Sequence, residues 1–212
     1  MLSLAGARLN RLNTNTWNRI RYSVWAPFYD VVTGGFDRYR RESLARLSLS
    51  PGERVLLVGA GTGADLRHIP PGVMAVATDL TPAMLARASK YQRPGVSFAI
   101  MDGHRLGVGT GSCDAVVLHL ILAVIPDPVR CLQEAARVLR PQGRIVVFDK
   151  FVRSRPPIGL RALNVVSSVL FTDVTRRFED ILAAANSLLN VELDEPAALG
   201  GLFRHILLRR NG

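Results

Sequence analysis

The sequence predicts an α/β protein, a doubly wound and mostly parallel sheet entered through a helical N-terminal lid. Three observations predict it. Between residues 53 and 150 short apolar runs alternate with helical stretches, and the runs are unbroken, as in strands buried on both faces. The first run ends in three glycines on alternate positions, Gly59, Gly61 and Gly63, where the backbone can approach a ligand closely. The chain then closes on two strand-like runs that follow helical segments. With 212 residues, 48% of them hydrophobic, one sizeable core is expected. We therefore expect a single domain over 1–212, with a lid segment at 1–50, a ligand-binding half at 53–150, and inserted helices and final strands at 151–212.

The elements follow in order. Residues 7–24 and 36–48 read as helices separated by Pro27 and the Gly34-Gly35 pair; Phe36, Tyr39, Leu44 and Leu47 recur at helical spacing in the second. Residues 54–58 form the first strand and 64–69 a short helix closed by Pro70-Pro71. Residues 73–78 are a second strand, and Thr81 caps a helix that has Pro82 in its first turn and runs to about Tyr91. Strands at 96–101 and 113–119, a helix at 128–139 and a strand at 144–148 complete the alternation. Residues 158–171 read as an apolar helix; Val174, Phe178, Ile181, Leu182 and Ala185 mark one face of another. "NVELDEP" and "FRHILLRR" read as the closing strands.

The formal net charge is +10, almost all from arginine, since Lys90 and Lys150 are the only lysines. Such a balance attracts anionic partners: a phospholipid surface, nucleic acid or acidic small molecules. Eight arginines stand against three acids up to Arg46, and Lys150, Arg153, Arg155 and Arg161 form a second group. There is no apolar run of spanning length and no convincing secretory signal, so a cytoplasmic protein is expected. Cys113 and Cys131 read as reduced structural thiols, and the four histidines lack metal-ligand spacing.

Twenty residues after Gly59, at the end of the second strand, stands Asp79, a carboxylate able to accept from a ribose diol. The spacing is G-x-G-x-G, with Ala64 where a dinucleotide fingerprint has its third glycine, which weakens an NAD reading. With "VLLVGAGTG", "VATDLTPAML", "MDGHRL", "SCDAVVLHL" and "EAARVLRPQGRIVV" together, residues 53–150 resemble the class I S-adenosylmethionine-dependent methyltransferases. The resemblance implies a Rossmann-like seven-stranded sheet of order 3-2-1-4-5-7-6 with the last strand antiparallel, and S-adenosylmethionine as cofactor. It implies that Gly59, Ala60, Gly61 and Gly63 pass the methionine part. Asp79 would then hold the ribose, Leu80 and Met84 flank the adenosine, and Asp102 and Gly103 bind adenine. His119, at the end of the fourth strand, would lie near the sulfonium. For Asp79 a helix-capping role stays open, for Met84 a core role, and for His119 a packing role.

Two departures stand out. The family has an acid where this chain has Leu57; Asp65, just after the third glycine, is the candidate substitute, and a non-catalytic cofactor-binding relative is the alternative. "RPQG" replaces the usual "RPGG", which a type I turn over Pro141-Gln142-Gly143 would accommodate.

The lid should choose the acceptor. "YSVWAPFYDVVTGG", "FDKFVRS" and "LGGLFRHILLRR" resemble bacterial phospholipid N-methyltransferases and quinone C-methyltransferases. That resemblance makes Tyr22 and Tyr29 candidates to orient the acceptor, with lid packing as their alternative. Arg8, Arg11, Arg19 and Arg21 among Leu9, Leu12, Trp17 and Ile20 suit an anionic membrane surface, which would place the protein peripherally on the inner face of the cytoplasmic membrane. Residues 163–171 are candidates for an acyl-chain groove. A soluble methyltransferase of a small thiol, phenol or amine is the competing reading. No N-P-P-Y-type motif follows the fourth strand, where "HLIL" stands, which argues against nucleic acid as acceptor. The sequence carries no signature of oligomeric state.

Overall fold

The computed structural model describes residues 14–153, 175–185 and 188–212, with backbone alone for 25–33. The sequence-predicted helix at 158–171, Val174, the arginines at 8, 11, 155 and 161, and the side chain of Tyr29 lie outside that description.

The chain runs through helix α1 (Asn15–Thr33), a 3-10 turn (Gly34–Phe36) and α2 (Asp37–Ala45) into strand β1 (Arg54–Val58). A 3-10 turn (Ala64–His68) leads to β2 (Met74–Asp79), α3 (Pro82–Ala88), β3 (Val96–Ile100) and β4 (Cys113–His119). Helix α4 (Pro128–Val138), β5 (Leu139–Lys150), α5 (Phe178–Ala185), β6 (Leu189–Pro196) and β7 (Phe203–Arg210) follow. The strands form one seven-stranded sheet in the order β3-β2-β1-β4-β5-β7-β6. β1 to β5 are parallel, and β7 is antiparallel to both β5 and β6.

Both faces are covered. Leu56, Val58, Val116, Leu118 and Val147 face α4 and α5, through Leu132, Ala135, Phe178 and Ile181. Val55, Leu57, Ala77, Val117 and Val146 face the other layer, where Leu44 and Leu47 cover them from α2 and its end, and Leu66 from the 3-10 turn. Leu57 is thus an ordinary core residue, 1% exposed. At the carboxyl end of the sheet Phe148, Phe203 and Ala198 make a third cluster, with Phe36 and Tyr39 packed against it.

Several boundaries differ from expectation. Pro27 does not end the first helix. Its missing N–H costs one ladder bond, and α1 continues to Thr33 and stops at Gly34. The helix expected over 64–69 is a 3-10 turn. Thr81 stands at the N-cap of α3 but its side chain makes no capping bond; Asp127, by contrast, caps α4 by accepting from Arg130 N–H. The last parallel strand starts five residues early, at Leu139, and includes the Pro141–Gly143 corner. There Gln142 has φ 64°, the left-handed value of a type II turn rather than the expected type I.

Candidate active site

The glycine loop joins β1 to the 3-10 turn with φ of 66° at Gly59, 55° at Gly61 and 79° at Gly63, values that favour glycine. A Cβ on Gly59 would lie 2.5 Å from Ile121 Cδ1, so the backbone itself forms the wall there. Gly61 N–H donates to Asp79 Oδ2 at 2.9 Å, and Thr81 N–H donates to Asp79 Oδ1 at 2.8 Å. The carboxylate at the end of β2 therefore clamps the loop and caps α3 at once. Burial raises its pKa above the ordinary carboxylate value, against the lowering effect of the Thr81 and Gly61 bonds. The Thr81 hydroxyl and the Leu80 N–H lower it as well, and the carboxylate stands on the cleft wall, where a ligand diol would meet it.

These groups open onto a cleft at the carboxyl ends of β1, β2 and β4. Tyr22, Gly59, Gly61, Asp79, Leu80, Met84, Asp102 and Gly103 all line it, as do Leu120, Ile121 and Val124 after β4. Met84 is 2% exposed, so it serves core and cleft together. At the far end Asp102 Oδ1 accepts from His104 N–H at 2.9 Å and lies 2.8 Å from His104 Nδ1. A Cβ on Gly103 would fall 2.9 Å from Ile125 Cδ1, so the chain passes tightly there too.

Among the lining residues missed in the sequence are two on the lid. Asn15 Nδ2 donates to Asp102 Oδ2 at 2.6 Å, and Asn18 Nδ2 donates to Val124 O at 3.3 Å. With Tyr22 they occupy positions i, i+3 and i+7 of α1, one face of a helix, and that spacing was the available signal. The Arg21 guanidinium lies 4.9 Å from the Tyr22 ring centroid and donates to Asn18 Oδ1 at 2.7 Å.

Other candidates lie elsewhere. His119 is not on the cleft wall. It shares the face of β4 with Ala115 and Val117, its Nδ1–H donates to Asp65 Oδ1 at 2.8 Å, and its Nε2 lies 3.0 Å from Ser43 Oγ. It is 4% exposed, has both ring nitrogens engaged, and does not open onto the cleft. Asp65 is buried beside it and accepts from Arg40 Nη1 at 2.7 Å. Ala60 is tucked under the loop with its N–H on Thr78 O. Gly63 faces α3, where a Cβ would meet Ala88 Cβ at 2.9 Å.

Residues 56–147 match the family described as methyltransferase domain. A phosphatidylethanolamine N-methyltransferase of Cereibacter sphaeroides is 31% identical over 196 residues, covering 89% of this chain and 95% of the relative. The chain belongs to the S-adenosylmethionine-dependent methyltransferases. A demethylmenaquinone methyltransferase of Beutenbergia cavernae is 42% identical, over 57% of this chain and 50% of its own length. The chain thus spans about half the length of that relative. Among solved structures, the protein described as a methyltransferase in a Haloferax volcanii complex with the Trm112 methyltransferase activator superposes with TM-score 0.72. It is 20% identical, with 90% of this chain and 98% of that one covered, and it shows the fold. S-adenosylmethionine is the cofactor of this family. The cleft suits it: two tight backbone approaches, at Gly59 and Gly103, share its wall with the Asp79 carboxylate.

Proposed function

We propose that the chain methylates the head-group amine of a phospholipid of the phosphatidylethanolamine type, working at an anionic membrane surface. The observation that carries this reading is the extent of the likeness to the Cereibacter sphaeroides protein, which covers 89% of this chain and so reaches well beyond the cofactor half. A quinone-like lipid is the second reading. The demethylmenaquinone methyltransferases favour it at higher identity, over little more than the cofactor half.

When bound, S-adenosylmethionine would supply an electrophilic methyl on a sulfonium that departs as a neutral thioether, so no acid is required of the protein; the head-group nitrogen attacks as the free amine, its ammonium proton having passed to water beforehand. The chain's own residues position and desolvate. Gly59 and Gly61 flank the methionine part, Asp79 accepts from the ribose, Leu80 and Met84 cover the adenosine, and Asp102 with Gly103 takes the adenine edge. Tyr22 on the lid orients the acceptor nitrogen, and Ile121 and Val124 exclude water.

The lid also supports the membrane reading. While Asn15, Asn18 and Tyr22 face the cleft, Trp17, Ile20 and Val24 lie on the opposite side of α1, 37%, 56% and 69% exposed, with Arg19 beside them. Apolar residues flanked by arginine on an outward helix face suit an anionic interface. Among the described residues no helix is long and apolar enough to cross a membrane.

The test is mass spectrometry of lipids from cells expressing the wild type or Asp79→Ala. Phosphatidylethanolamine gaining mass in methyl steps, only with wild type, is the expected result. A mass gain on quinones supports the second reading, and no new lipid product overturns both. Co-sedimentation with anionic vesicles should be lost in the combined variant Trp17→Ala, Ile20→Ser, Val24→Ser.

A further inference from the structure

Four buried polar side chains meet where the glycine loop ends, and none of them lines the cleft. Asp65, two residues after Gly63, is held by Arg40 from α2 at 2.7 Å and by His119 from the end of β4 at 2.8 Å. Ser43, one helical turn from Arg40, completes the set at 3.0 Å from His119. The side chains of Arg40, Asp65 and His119 are 5%, 4% and 1% exposed. Burial alone would raise the Asp65 carboxyl, but Arg40 and His119 outweigh it and hold the group well below the usual carboxylate range. The carboxylate is therefore a fixed anion to which α2, β4 and the loop exit are all fastened.

We propose that Arg40 and His119 are positioning residues for the glycine loop, acting through Asp65. The inference rests on the cleft being the cofactor site. The loop has three left-handed glycines and no long side chain of its own. Its upstream half is tied by Ala60 N–H to Thr78 O and by Gly61 N–H to Asp79. Beneath it Leu57 offers only an apolar contact. The downstream half passes from Gly63, whose N–H returns to Ala60 O, straight into Asp65, and Leu66 N–H binds Gly63 O. A shift of Asp65 is thus transmitted through two short turns to Gly61, whose N–H is aimed at the cleft carboxylate. Arg40 and His119 prevent that shift without touching a ligand.

The test compares wild type, Asp65→Asn, His119→Gln and the paired Arg40→Met/Asp65→Leu. The pair removes both charges together and leaves no uncompensated ion inside, and His119→Gln keeps the ion pair intact as the mildest change. Each is examined by thermal melting, amide hydrogen exchange and calorimetric titration with S-adenosylhomocysteine. Exchange over residues 59–66 should rise by about tenfold in the Asp65 variants, with β5 and β7 unchanged. The dissociation constant should rise roughly tenfold at unchanged acceptor KM. His119→Gln should show the same pattern more weakly. Loop exchange equal to wild type in any folded Asp65 variant overturns the proposal. So does faster exchange spread evenly over the chain, or a loosened loop with unchanged affinity. Failure of the wild type to bind S-adenosylhomocysteine would refute the cleft reading instead, while the exchange comparison would still decide whether this set holds the loop.

Discussion

Replacing Asp79 by asparagine changes one atom and almost no volume. The native carboxylate accepts Gly61 N–H through one oxygen and Thr81 N–H through the other, at 2.9 and 2.8 Å. Asparagine keeps one acceptor and turns an NH2 toward the other N–H. An orphaned buried donor costs about 1–3 kcal/mol. Part of this is offset, because burial already disfavours the ionised carboxyl and the neutral amide escapes that penalty. The net loss of stability should be about 1 kcal/mol. Cofactor binding should suffer more. Hydrogen bonds to a charged group contribute about 1.5–3 kcal/mol each. Losing the charge for two ribose hydroxyls, with some compensation by the remaining oxygen, should cost about 3 kcal/mol, roughly 100-fold in Kd. Calorimetric titration of Asp79→Asn with S-adenosylhomocysteine, alongside melting curves, reads both effects. A lowered Tm with a Kd within about threefold of wild type would refute the reasoning and leave Asp79 as a cap for α3.

Gly59→Ala should bind S-adenosylhomocysteine at least about tenfold more weakly, since a left-handed alanine costs about 1–2 kcal/mol and its Cβ displaces Ile121; calorimetry checks it. His205 is 1% exposed, with Nε2–H donating to Tyr39 O, and Arg46, Glu42, Glu195 and His119 around it. Burial, reinforced by Arg46, pushes its pKa from 6.5 down to about 4. The unfolded chain therefore takes up that proton first, and stability falls as pH drops from 6.5 toward 4. The shift corresponds to about 3 kcal/mol, which His205→Gln should remove from the pH dependence measured by urea unfolding. Gln142→Gly relieves the left-handed φ at the corner of β5, and after the entropy of a freer unfolded glycine it should gain about 0.5 kcal/mol, raising Tm by about 1–2 °C; a lower Tm would show that the corner is unstrained.

How much of this was legible depended on whether a feature is local. β4 could be read directly, because a strand buried on both faces leaves a continuous apolar run from Ala115 to Leu118. The loop and Asp79 were legible for the same reason: the turn and the strand end lie close along the chain. His119 was misplaced because the alternation of β4 was readable, whereas which face carries the cleft was not. The chain turns out at Leu120, with φ 57°, and it is Leu120 that reaches the cleft wall. The Arg40–Asp65 pair joins residues 25 apart on different elements, and only the packing of α2 on the sheet brings them together. Asn15 and Asn18 share a helical stripe with Tyr22 but went unread, because the surface that the stripe meets is set by tertiary packing. Pro27 misled because it forbids one hydrogen bond, not a helix.

The hydrogen bond from Asn15 to Asp102 has a kinetic consequence. Asn15 offers the carboxylate an amide NH2, the same chemistry as the exocyclic amine of adenine; on the proposed assignment of Asp102 to the adenine edge, the first turn of α1 would be an intramolecular competitor for that end of the cleft. Nucleoside capture and unlatching of the first helix become one event, and the measured dissociation constant is the intrinsic value divided by the unlatched fraction. A chain lacking that amide would load its nucleoside more readily and hold it more tightly by that same fraction.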